Sequence, residues 1–196
     1  MTTLTQKERE TVLILFKDYT TFYNANSISK VLNISHVGAQ KIFKRLLQEN
    51  LVIRKTIGKS ITYKLNFNDN YVSQLVAFLL ADEANKFKRW KEEFKEVFKK
   101  DRIVMLFGST VKDYAHAQDI DLMIVIKNKE VNEVNAFLKK KEEILPKKLH
   151  SIKLNPRDLL ENLQKSDKAF VNIIKNAIIL YGQEKYVEIL KNVTSL

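Results

Sequence analysis

Residues 107–126 read FGSTVKDYAHAQDIDLMIVI, and this stretch decides the fold of the C-terminal half. Ile103–Phe107 (IVMLF) is a short continuous apolar run, the pattern of a buried strand. Gly108 and Ser109 stand at its end. Residues 110–117 suit a helix or loop, and Asp119-Ile120-Asp121 opens a second apolar strand over residues 122–126. Side chains two apart on a strand share a face. Asp119 and Asp121 therefore point the same way, while Ile120 and Leu122 enter a core. Two carboxylates that close form a hard-oxygen site suited to Mg²⁺. Gly108 has no Cβ to keep a phosphate chain from the backbone, and Ser109 with nearby N–H groups can bind phosphate oxygens.

The pattern Gly-Ser, nine residues, then Asp-x-Asp resembles the signature of the DNA polymerase β superfamily. By chance it would occur in well under ~1% of chains this size. The resemblance extends further. Residues 132–143 read as a helix, 149–154 as a third strand, and 156–163 as a helix capped by Asn155. The stretch IIKNAIILYGQEKYVEIL (173–190) is similar to the ending of minimal nucleotidyltransferases. The resemblance covers about residues 101–190. It implies a Mg²⁺-dependent enzyme moving a nucleoside monophosphate from an NTP to an acceptor hydroxyl. Asp119 and Asp121 would be its catalytic, metal-binding carboxylates, and Gly108 and Ser109 its nucleotide-binding residues.

Active members of that superfamily usually carry a third carboxylate on the next core strand. Residues 149–154 (LHSIKL) contain none. His150 or Lys153 would occupy that face, with Asp158 beyond the strand and Glu142 and Glu143 before it. His116 and His150 are too scattered along the chain to suggest a metal site, so a surface or packing role is expected for each. The missing carboxylate keeps a second reading open: a DNA-binding transcriptional regulator whose catalytically degenerate domain senses nucleotide. A third is an antitoxin-like partner of a separate helical toxin.

Upstream, residues 5–19 read as a helix with Thr5 and Glu8 forming a capping box. A short helix follows at 27–32, with Ile28 and Val31 facing inward. Ser35 caps a third helix at 36–49, whose buried stripe is Ala39, Phe43 and Leu46. Two β-like runs, 51–55 and 60–65, are joined through Gly58. Three helices and a basic hairpin resemble a winged helix-turn-helix over about residues 1–67. That resemblance implies a helix in the DNA major groove. His36, Val37, Gln40 and Lys41 would reach base edges. Lys44, and Arg54, Lys55 and Lys59 on the wing, would meet phosphates.

Residues 72–100 contain no Pro or Gly and carry apolar residues near helical spacing. They predict one connecting helix about 40 Å long, with a break marked at Asp82-Glu83 and an aromatic stripe that suits either a core or a homodimer seam. The expected organisation is mixed α+β: a winged helix-turn-helix at 1–69, a long connecting helix at 70–100, and a nucleotidyltransferase-like domain with a small mixed sheet at 101–196.

Composition agrees. The 196 residues carry a net charge of +11 and contain no cysteine, which excludes disulfides and thiolate metal sites. Residues 1–69 hold 11 Lys/Arg against 5 Asp/Glu, more than half of the excess, as a polyanionic partner such as nucleic acid requires. The longest apolar run, seven residues at 75–81, is far short of the ~20 that span a bilayer. No membrane association is expected. With acidic residues at Glu8 and Glu10 and no signal-peptide pattern, the expected location is cytoplasmic.

Overall fold

The structure, a computed structural model, describes residues 3–194. The chain divides into two compact units between Leu79 and Leu80.

In the first unit, α1 (Gln6–Lys17) starts at the capping box expected from sequence. The Glu8 amide donates to Thr5 Oγ1 at 3.3 Å, and the Thr5 amide donates to Glu8 Oε2 at 2.7 Å. α2 (Ala25–Leu32) begins earlier than its apolar pattern suggests, because Asn24 caps it: the Ser27 amide donates to Asn24 Oδ1 at 2.8 Å. Its inward face is Ile28, Ser29 and Leu32, so Val31 does not face inward as expected but is 55% exposed. Asn33 turns the chain in the left-handed region, and Ser35 caps α3 (His36–Gln48). Ala39, Phe43 and Leu46 are fully buried, as their spacing predicts. Glu8, nearly buried, ties α1 to α3 through Arg45 at 3.2 Å.

β1 (Val52–Ile57) and β2 (Ser60–Leu65) form an antiparallel hairpin in which Ile57 faces Ser60, leaving Gly58 and Lys59 as its tip. The Phe43 and Tyr63 rings stack with centroids 3.9 Å apart, fixing the hairpin to α3. α4 (Asn70–Ala84) follows.

The continuous helix expected over 70–100 is not formed. α4 ends at Ala84, a 3₁₀ turn occupies Asn85–Phe87, α5 is only Lys88–Glu93, and a second 3₁₀ turn follows at Lys95–Val97. The physical reason is burial. Ala84, Trp90, Phe94 and Val97 all pack into the core of the second unit. That core draws the chain into short turns instead of letting it run on.

The second unit is built on β3 (Ile103–Phe107), β4 (Asp119–Val125), β5 (Lys148–Leu154) and β6 (Ile178–Tyr181), in the order β5-β4-β3-β6. β3 is antiparallel to both β4 and β6, and β4 is parallel to β5, so the sheet is small and mixed. Val104, Leu106, Ile120, Leu122, Ile124, Leu149, Ile178 and Leu180 point to one face. There they meet Trp90, Phe94 and Val97, together with Val134 and Leu138 of α7 (Val131–Ile144). α8 (Pro156–Lys165), α9 (Lys168–Asn176) and α10 (Gln183–Thr194) also pack in this unit, α8 against β5 and α9 and α10 against β3. Burying ten or more aliphatic side chains at ~1.5–3 kcal/mol each is the main force holding such a sheet. Asn155 caps α8, as expected.

Arg102 is a fully buried charge just before β3. It donates to Glu130 Oε1 at 3.0 and 3.2 Å and to Glu133 Oε1 at 3.1 Å, so it is paired with two carboxylates.

Candidate metal centre

Alternation along β4 does what two carboxylates on one strand require. Ile120 and Leu122 are fully buried, while Asp119 and Asp121 are partly buried with side-chain exposures of 31% and 21%. Between β3 and β4 lies α6 (Ser109–Lys112), a single turn. The buried Thr110 hydroxyl donates to the Asp119 carbonyl at 2.6 Å and clamps that turn against the start of β4.

Gly108 has φ +74. A Cβ built there would lie 2.0 Å from Asp121 Oδ2. The glycine therefore serves a need beyond an open approach to the backbone: it leaves the space the Asp121 carboxylate fills. Gly108 and Ser109 are both exposed at the mouth of this site.

The parallel register of β4 and β5 sets Asp121 opposite His150. His150 Nδ1 is 3.1 Å from Asp119 Oδ2 and 3.8 Å from Asp121 Oδ1. One ligand atom from each of the three residues lies within 4.8 Å of the others, a group able to hold a metal ion. His150 is 60% exposed, a surface position that also faces both carboxylates. The register also resolves which residue faces the aspartates: Lys153 pairs with Ile124, on the alternate side of the sheet, and bonds Ser151 Oγ. Asp158 accepts from the Asn155 amide as part of the α8 cap. His116 lies apart, bonded to Asp113 at 2.7 Å. The sequence left His150 and Lys153 as alternatives for this face, because the choice depends on a strand pairing that no local pattern encodes.

Burial, and then the Asp119 charge, hold the Asp121 carboxyl above its ordinary range, with His150 opposing them. The site is thus acidic and partly desolvated. The donor set suits a divalent ion, with two carboxylate oxygens and an imidazole nitrogen converging from two strands.

Beside the site, the loop between α6 and β4 is held by Lys147. Its ammonium donates to the carbonyls of Tyr114, Ala115 and Ala117 and sits over the Tyr114 ring at 4.3 Å. Trp90 meets that ring edge-on at 5.1 Å.

In the first unit, His36, Val37, Gln40, Lys41 and Lys44 are all exposed on α3, and Arg54, Lys55 and Lys59 are exposed on the hairpin. The Gly38 amide is used by Ser35 Oγ at 3.0 Å.

The family model Polymerase beta, Nucleotidyltransferase matches residues 92–186. The match runs from the end of α5 to the start of α10, including all four strands of the second unit and the Asp119–Asp121–His150 group. It supports a nucleotidyltransferase domain of the DNA polymerase β superfamily in this part of the chain. No curated protein and no solved structure matches the chain. No helix among the described residues is long and apolar enough to cross a membrane.

Proposed function

We propose that this protein is a divalent-metal-dependent nucleotidyltransferase, transferring a nucleoside monophosphate from an NTP to an acceptor hydroxyl. The observation that carries the reading is the side-by-side projection of Asp119 and Asp121 next to the Gly108-Ser109 turn. Asp119 and Asp121 would hold the ion, with His150 facing them. An ion held there would supply positive charge to offset the triphosphate and to favour ionisation of the attacking hydroxyl. Gly108 and Ser109 receive the phosphates at the open side of the site. The acceptor oxygen forms a new bond to the α-phosphorus, the bond from that phosphorus to the bridging oxygen breaks, and pyrophosphate leaves. The hydroxyl proton passes to solvent.

The first unit acts as a winged helix-turn-helix that recruits the enzyme to DNA. Its support is the run of exposed basic and polar side chains on α3 and the hairpin, together with the charge excess of residues 1–69. Incubation with each labelled NTP and the divalent ion tests the catalytic claim. The expected result is labelled product with wild type and none with Asp119→Ala. Equal signal from both proteins, or none from either, refutes it.

A second reading is favoured by one observation: a histidine stands where the superfamily usually has its third carboxylate. On that reading the protein is a DNA-binding regulator whose nucleotidyltransferase domain senses nucleotide without turning it over. Saturable nucleotide binding that alters DNA affinity, with no transfer to any acceptor, would select it.

A further inference from the structure

The ligand set itself points to which ion the site takes. We infer that His150 is a metal ligand, and that Asp119, Asp121 and His150 form a mixed nitrogen-oxygen site for one transition-type divalent ion, Mn²⁺ or a later metal, in preference to Mg²⁺. The inference rests on the proposed reading of the aspartate pair as a metal site.

Three observations carry it. His150 Nδ1 is 3.1 Å from one carboxylate and 3.8 Å from the other, so a single small ion drawn between them meets all three groups after sub-ångström to ångström adjustments. The imidazole is brought in from outside the β4 segment, by the register that pairs Asp121 with His150. The space around Asp121 is kept by Gly108, so the carboxylate lies where the turn leaves room for it. Mg²⁺ demands oxygen ligands in near-ideal octahedral geometry and keeps several waters. Imidazole suits Zn²⁺, Cu²⁺, Fe²⁺ and Ni²⁺, and a nitrogen donor raises affinity along the Mn²⁺ to Cu²⁺ series. Two carboxylates and one imidazole leave positions open for phosphate oxygens. With a neutral ligand in the third place, the protein brings only two formal negative charges. That suits one ion better than two, since fewer anionic oxygens remain to neutralise a second cation.

The experiment uses the full chain at one fixed pH. Mn²⁺ is titrated by electron paramagnetic resonance and Mg²⁺ by competition, for wild type, His150→Ala, His150→Asp and Asp119→Asn. Pulsed resonance then looks for ¹⁴N coupling to bound Mn²⁺. Wild type is expected to bind one Mn²⁺, more tightly than Mg²⁺, with nitrogen coupling present. His150→Ala loses the coupling and at least about tenfold in Mn²⁺ affinity. His150→Asp also loses the coupling while its preference moves toward Mg²⁺. His150 is 60% exposed, so both variants are expected to fold, which circular dichroism verifies. Mn²⁺ bound without nitrogen coupling, or an unchanged Mn²⁺/Mg²⁺ ratio in both His150 variants, overturns the inference and leaves the aspartate site standing. If wild type binds no ion, or Asp119→Asn binds as well as wild type, the metal-site reading itself falls and takes the inference with it.

Discussion

Gly108 and Asp121 compete for one volume: a side chain on the first would begin 2.0 Å from the carboxylate oxygen of the second. The glycine also holds φ +74, a conformation other residues adopt only under strain. Gly108→Ala is therefore expected to push the Asp121 carboxylate out of line with Asp119. The folded protein should lose about 1–3 kcal/mol, and metal affinity should fall with it. Thermal melts and Mn²⁺ titration of the same sample check both, and a variant with unchanged affinity would refute the spatial argument.

On the proposed function, Asp119→Asn and Asp121→Asn should each lower nucleotidyl transfer by about 100-fold or more, since an ion held there would contribute several kcal/mol of transition-state stabilisation. Stability should move oppositely for Asp121. Its folded pKa is raised, by burial first and then by Asp119. A raised carboxylate is neutral at low pH in both folded and unfolded chains, and penalises the fold once pH passes through its folded pKa. The metal-free Asp121→Asn variant should therefore melt higher than wild type at neutral pH. The gap should close as pH drops below the carboxylate range. A lower melting temperature at pH 7 would contradict this.

Arg102 is wholly buried and satisfied by Glu130 and Glu133. Arg102→Ala should cost about 2–4 kcal/mol, through the lost pairing and the void left behind. The acids make an independent signature. Glu130 is held below its ordinary range first by the Lys127 amide, and Glu133 first by Lys99, with Arg102 lowering both. Carboxyls depressed in this way stabilise the fold above their unfolded pKa. They cease to do so as pH falls through the folded one. Urea titrations from pH 7 downward should thus show wild type losing more stability than Arg102→Ala.

If α3 and the hairpin meet DNA, Lys41→Ala and Lys44→Ala should weaken duplex binding, and Lys55→Ala and Lys59→Ala should do so at the wing. Each phosphate contact removed should lower the slope of log affinity against log salt by about 1. Gel shifts at several salt concentrations measure this. An unchanged slope in the quadruple variant would remove DNA from the account.

What sequence made legible was what neighbours along the chain determine. Thr5 with Glu8, Ser35 with the Gly38 amide, and Asn155 with Asp158 are contacts three residues apart, and each was readable as a cap. The shared face of Asp119 and Asp121 follows from strand alternation alone. Either His150 or Lys153 was expected beside the aspartates, and the choice was not readable because it is set by pairing between β4 and β5, across a connection that includes α7. The 70–100 segment misled for a different reason. Trp90, Phe94 and Val97 keep helical spacing while the backbone between them tightens into short turns, since burial in a non-local core overrode local propensity. Val31 fell to a similar ambiguity, because both i+3 and i+4 positions fit an apolar face and α2 buries Leu32.

β5 is the border strand of its sheet, bonded to β4 on one side only. The inferred third donor therefore hangs from an outer plank of the scaffold, while the two acids sit on an inner one. On that inference, a single replacement at the rim, at position 150, would retune which cation the site favours without disturbing the packed interior beneath it.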